Sequence, residues 1–133
     1  MGIKVEENFN HPYKATNIVE FWQRWHMTLS NWCKDYVFTP VLAVYRKPFL
    51  AVICAMCAMG LWHQVSIYYL LWGFYHASGI ACCRLFQNWR SGQAISLFST
   101  RSWRLVSWVL TMVFIVSGSP IINGIQKGIM GLF

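Results

Sequence analysis

The stretch PFLAVICAMCAMGLWHQVSIYYLLWGFYHASGIACC, residues 48–83, contains no Asp, Glu, Lys or Arg. As a single helix at 1.5 Å per residue, its roughly 36 positions would run ~54 Å. The hydrocarbon core of a bilayer is only ~30 Å thick. The run is therefore too long for one span and slightly short for two full ones. A hairpin of one short and one normal helix fits it, bent near Trp62, His63, Gln64, Val65 and Ser66. Such a bend puts His63 at the inner end of the short helix and within the protein. Non-helical backbone at that depth is tolerated only against other protein or along a cavity.

Composition points the same way. Of the 133 residues, 56% are hydrophobic, 17% aromatic and only 11% charged, whereas soluble domains carry about 25% charged residues. The fold class expected is an all-α integral membrane protein with an interfacial helix, a transmembrane hairpin and one further span. The net charge is +7, and all four acids (Glu6, Glu7, Glu20, Asp35) precede Pro48. Beyond it the only charges are Arg84, Arg90, Arg101, Arg104 and Lys127. These cations punctuate apolar spans instead of lining one face, which indicates positive-inside topology and lipid headgroup contact, not nucleic acid. Arg46 and Lys47 before the hairpin and Arg84 and Arg90 after it then share the cytoplasmic side.

Four segments follow. Residues 1–47 form a polar entry segment and an interfacial amphipathic helix. Phe21, Trp22, Trp25, Leu29 and Trp32 share one helical face, and Glu20 and Arg24 make an i,i+4 pair. Tryptophans beside Arg24 and Lys34 suit the membrane interface, and Pro40 limits how far that helix continues. Residues 48–87 are the hairpin, 88–101 a cytoplasmic basic loop, and 102–133 a C-terminal transmembrane helix and tail. The last span is expected to end by Ser117-Gly118-Ser119-Pro120, leaving a flexible tail in which Gly124 and Gly128 have the spacing of a helix-contact motif. The polar N-terminus lacks the apolar segment of a cleavable signal peptide. The five cysteines read as free, small, buried hydrophobes. No second half-site follows Cys54-x-x-Cys57, so no metal centre is expected.

An ionisable group inside a membrane span is a functional-site hypothesis by default. With no carboxylate after Pro48, His63 and His76 are the only candidate bases in that part of the chain.

Several blocks occur in a fixed order: Asn8-Phe9-Asn10-His11-Pro12-Tyr13, then Glu20-Phe21-Trp22-Gln23-Arg24-Trp25-His26-Met27-Thr28-Leu29-Ser30, then Trp32 and Asp35-Tyr36. Gly60-Leu61-Trp62-His63 and Leu71-Trp72-Gly73-Phe74-Tyr75-His76 follow. Together they resemble the membrane-bound O-acyltransferase family, within its bacterial branch of alginate O-acetyltransferases and teichoic acid D-alanyl transfer proteins. The resemblance covers residues 8–86 and corresponds to the C-terminal part of the family's many-helix bundle. It implies a partial bundle of that kind in a bacterial inner (plasma) membrane, multi-pass. Where members of the family commonly carry glycine after the motif histidine, this chain has Gln64.

The resemblance further implies transfer of an acyl group, acetyl by the branch, from a thioester donor to a hydroxyl of an extracytoplasmic polysaccharide such as alginate. It assigns the catalytic histidine to His63 and a second catalytic position to His26. Imidazole withdrawn from water resists protonation and is available as a base near neutral pH. General-base help of this kind is typically worth ~10²–10⁴ in rate. Direct attack by the acceptor needs no acyl-enzyme, and Ser66, the nearest hydroxyl, lies outside any nucleophile motif. Trp62, Trp25, Arg24 and His76 are candidate substrate contacts. Each also has a plainer reading: the tryptophans as belt and packing residues, Arg24 as an ion-pair partner (Asp35 being another carboxylate it can take), His76 as the partner of a backbone carbonyl, and His26 as a histidine at headgroup depth. No cofactor is implied. The partners expected are membrane lipids, the acyl donor, a polysaccharide or carrier acceptor, and either the remaining N-terminal helices or a partner envelope protein. Two other readings stand beside this one: a non-catalytic membrane fragment, and a small haem-binding membrane protein using His63 and His76 as axial ligands.

Overall fold

The computed structural model describes residues 2, 6–93 and 100–131, and every regular element among them is helical. After a 3₁₀ turn at Pro12–Lys14 come α1 (Ile18–Arg24), α2 (Met27–Cys33) and α3 (Thr39–Tyr45), then α4 (Pro48–His63), α5 (Ile67–Ser91) and α6 (Arg101–Met130).

The hairpin is α4 and α5. Pro48 opens α4 at a position where its missing N–H costs no hydrogen bond. The sixteen residues of α4 rise ~24 Å, short of a full span. Only Gln64, Val65 and Ser66 separate the two helices, and the Ser66 hydroxyl caps α5 by accepting from the Tyr69 amide at 3.4 Å. Glycine lets the backbones meet. A Cβ on Gly73 would stand 2.7 Å from Cys57 Cα, and one on Gly60 would overlap the Tyr69 carbonyl oxygen. Close approach at small residues is how helices associate where burial from water supplies no force between them.

Against α5 lies α6, whose first turn is capped by the Thr100 hydroxyl accepting from the Trp103 amide at 3.1 Å. Phe114 stacks on Tyr75 with ring centroids 4.3 Å apart, over the space that Gly79 leaves. The Tyr75 hydroxyl donates to the Phe114 carbonyl at 2.7 Å. Of the described helices, α6 is the one both long and apolar enough to cross a membrane, and most of its surface is exposed. It is tied to the N-terminal segment where Trp108 Nε1 donates to the Tyr13 carbonyl at 2.7 Å.

Four expectations change. The interfacial helix is broken at Trp25 and His26, so its apolar face is not continuous: Phe21, Trp22 and Leu29 are buried while Trp25 and Trp32 are exposed. Pro40 does not end the helix. A π turn at Lys34–Phe38 joins α2 to α3, and its wider hydrogen-bond step brings Pro40 into the first turn of α3, where no N–H is required of it. The Thr39 hydroxyl donates to the Lys34 carbonyl at 2.9 Å across that turn. At the other end, α6 passes through Pro120 to Met130 where a flexible tail was expected. Pro120 removes the helical donor of the Val116 carbonyl without ending the helix, whereas the Tyr75 and Ser117 hydroxyls both donate to the Phe114 carbonyl, earlier in the helix. A Cβ on Gly124 or Gly128 would meet nothing within 4 Å among the described residues. The segment expected to be a loop from residue 88 is helical to Ser91, and residues 94–99 lie outside the described residues.

Candidate active site

His63 is the last residue of α4, and α5 returns directly past it. Tyr69, half a turn inside α5, lies nearly parallel to its ring at a 5.5 Å centroid distance. Trp62 stands edge-on at 5.0 Å and Trp72 at 6.1 Å. The ring of His26 also lies edge-on to Trp62, at 5.8 Å. Trp62 thus bridges two histidines from separate elements.

The position of His26 is built into the backbone. It is the N-cap of α2 with φ 46° and ψ 53°, in the left-handed region that disfavours side chains other than glycine. Such strain persists when surrounding contacts over-determine it and clusters at functional sites. Here residues 8–10 run alongside the break. The Asn8 carbonyl accepts from the Met27 amide at 2.8 Å, and its side-chain oxygen accepts from the Thr28 amide and hydroxyl at 3.2 and 2.9 Å. The Asn10 amide donates to the Arg24 carbonyl at 2.9 Å. Phe9 covers Trp25 at 4.9 Å and His26 at 6.1 Å. The N-terminal block and the Trp25-His26 block are therefore one structural unit.

A second histidine contact runs deeper. His76 is 3% exposed, wrapped by Trp72 at 4.5 Å, Trp22 at 5.1 Å, Tyr75 at 5.3 Å and Phe114 at 5.9 Å. Trp72 touches both His63 and His76, so its indole occupies the space that two axial ligands of a haem would need to share. Three buried ring nitrogens have no hydrogen-bond partner among the described residues: Trp22 Nε1, His26 Nδ1 and His76 Nδ1. Buried polar groups are ordinarily paired, and all three belong to this one aromatic cluster.

The remaining candidates divide. Trp62, 60% exposed, belongs to the cluster. Trp25 stacks on Phe21 at 5.7 Å and packs against Phe9. Arg24 is held by Glu20 through two donors, Nε at 3.1 Å and Nη2 at 2.8 Å, and its Nη1 donates to the Asn10 carbonyl at 3.3 Å. Arg24 therefore pins the turn that presents His26, and Asp35 pairs with Lys34 at 3.5 Å instead. His63 is not enclosed as expected: its ring is exposed, because α4, α5 and Trp62 cover only one side of it. Cys82, expected buried, is exposed as well, whereas Cys33 is buried and burial raises its thiol pKa. All five cysteines are free thiols.

Comparison with known proteins supplies the decisive observation. The model of the membrane-bound O-acyltransferase family matches residues 2–123. The chain belongs to that family. The teichoic acid D-alanyltransferase of Bacillus subtilis is 36% identical over 93% of this chain, which spans 34% of that relative. A probable alginate O-acetylase of Pseudomonas fluorescens is 36% identical over 89% of the chain and 23% of the relative. The peptidoglycan O-acetyltransferase of Helicobacter pylori is 33% identical over 86% of the chain and 21% of the relative. This membrane-bound O-acyltransferase chain thus spans between a fifth and about a third of the length of these relatives.

Within the family chain, Tyr69 is the site neighbour that residue-type reasoning passed over. The hairpin itself held the signal: a three-residue connection folds the start of α5 back beside the end of α4. Gln64 is accommodated without strain, since its φ of −166° is extended backbone open to any residue.

Proposed function

We propose that the chain carries the catalytic histidines of a membrane-bound O-acyltransferase that moves an acyl group, acetyl by preference, from a thioester donor to a hydroxyl of an extracytoplasmic polysaccharide. His63 acts as general base. It takes the hydroxyl proton as the acceptor oxygen attacks the acyl carbon, and the thiol of the donor leaves. His26 orients the acceptor or hydrogen-bonds the acyl carbonyl. The observation that carries this reading is the contact of both His26 and His63 with the one indole of Trp62, with His26 held in a strained backbone. The exposed side of His63 faces the remainder of the bundle, supplied by further membrane helices, and the enzyme is multi-pass in the bacterial inner membrane. Alginate-like and teichoic or peptidoglycan acceptors suit the named relatives equally.

The test is acyl transfer in membranes containing this chain together with the rest of the bundle, or in a chimera in which residues 8–86 replace the matching segment of the Bacillus relative. His63→Ala should lower turnover by about 10²–10⁴, the usual worth of a general base, while membrane insertion is unchanged. Full activity in that variant overturns the assignment. An intact chimera without turnover favours a non-catalytic membrane segment.

A further inference from the structure

The groove between the second half of α5 and the first half of α6 lies away from His63 and takes no part in the chemistry above. It encloses about 850 Å³, and Thr16, Asn17 and Ile18 at the start of α1 close its third side. The packing pairs set the register of its walls. Tyr75 meets Phe114 and Ser117, and Gly79 meets Phe114. In antiparallel helices each step forward along α5 meets a step backward along α6, so Arg90 comes level with Trp103 and Arg104. Both arginines line the groove and no acid does. Deeper in, Phe86, Leu110 and Phe114 make the walls apolar, and the groove narrows where Phe114 fills the space over Gly79.

Its dimensions are those of one leaflet. From Arg90 to Gly79 is eleven residues of helix, ~16 Å, against ~15 Å for half of a hydrocarbon core. The charged end carries Arg90 and Arg104 in the lining of the groove, the side that faces anionic cytoplasmic lipids. Basic pockets between membrane helices hold anionic headgroups, and the N-terminus of the thirty-residue α6 adds a favourable dipole there. A free phosphate would use the arginines and leave the apolar depth unfilled.

We propose that this groove holds one anionic phospholipid of the surrounding leaflet, its phosphate at Arg90 and Arg104 and one acyl chain running down to the contact of Gly79 with Phe114. The site is independent of acyl transfer at His63, so it stands or falls separately.

The test is native mass spectrometry of the full chain in detergent, titrated with phosphatidylglycerol or phosphatidylcholine. One phosphatidylglycerol should be retained in preference to phosphatidylcholine. Arg90→Gln with Arg104→Gln should weaken it by about fivefold for each arginine removed, whereas Arg46→Gln with Lys47→Gln should not. Ser107→Trp, which fills the groove with both arginines intact, should lower occupancy by both lipids, and helix content by circular dichroism reports folding of each variant. Equal retention in the arginine pair variant, or in Ser107→Trp, overturns the proposal. Displacement of the lipid by millimolar inorganic phosphate identifies a free-phosphate site and overturns it too.

Discussion

His26 lies edge-on to Trp62 at a centroid distance of 5.8 Å, although 36 residues separate them in sequence. The contact joins the left-handed turn between α1 and α2 to the end of α4, and through Trp62 it reaches His63. A shared wall of this kind sets the distance between the two imidazoles. Trp62→Ala should therefore lower turnover at least about tenfold, since misplacing reacting groups by ~1 Å is enough for a loss of that order. Trp62→Phe keeps an aromatic wall and should stay within about threefold of the parent. Steady-state rates of the two variants decide it, and equal rates for Ala and Phe would remove Trp62 from the site.

The backbone at His26 separates what its ring does from what its conformation costs. A side chain held at φ 46° carries of order 1–3 kcal/mol of strain, which glycine does not. His26→Gly should therefore melt at or above the parent temperature, and His26→Ala below it. Both should lose turnover if the ring orients substrate. Full activity in His26→Gly would confine the residue to a turn former.

Glu20 makes the turn sensitive to acid. Burial acts to raise its pKa, but hydrogen bonds from the Thr16 amide and hydroxyl, with the Arg24 guanidinium, lower it below the ordinary 4.5. A carboxylate with a depressed folded value contributes stability that is present above the unfolded pKa and lost as pH falls through the folded one. The contribution of Glu20, read as the difference in melting temperature between the parent and Glu20→Gln, should be constant above about pH 5 and shrink below about 4.5. Glu20→Gln should melt lower at neutral pH and lose part of the parent's acid slope. An unchanged slope would place the acid transition at another group.

How much of this was legible beforehand follows from the physics of each element. The helical hairpin was, because an uncharged run of this length was expected to bend near residues 62–66, and α4 and α5 are separated at residues 64–66. The break at His26 was not: a helical face continues through Trp25 in the pattern, and only the pairing of Asn8 and Asn10 with residues 24–28 overrides it. Continuity through Pro40 depends on a π turn that no local rule for proline anticipates, and α6 likewise runs on through Pro120 with no mark of it in the pattern. The family resemblance gave His26 and His63 as positions of one site, and neither it nor their spacing gave their common contact with Trp62. The exposure of His63 was not legible either: the bend was expected to leave it within the protein, whereas among the described residues it is exposed.

Two glycines test the packing of the hairpin against its surroundings. A Cβ at Gly73 would come within 2.7 Å of Cys57 Cα and 2.8 Å of the Met56 carbonyl oxygen, both backbone atoms that cannot rotate away. Gly73→Ala must push α4 from α5, and overpacking of this kind costs typically ~1–3 kcal/mol. The shift would also move Trp72, one residue earlier, relative to His63 and His76. Gly124 sits in α6 with nothing within 4 Å. Alanine there reduces the freedom of the unfolded chain and should stabilise by about 0.5–1 kcal/mol. Unfolding of each variant in a graded sodium dodecyl sulfate titration should shift the midpoint in opposite directions. A neutral Gly73→Ala would mean that α4 and α5 are farther apart than this close contact requires.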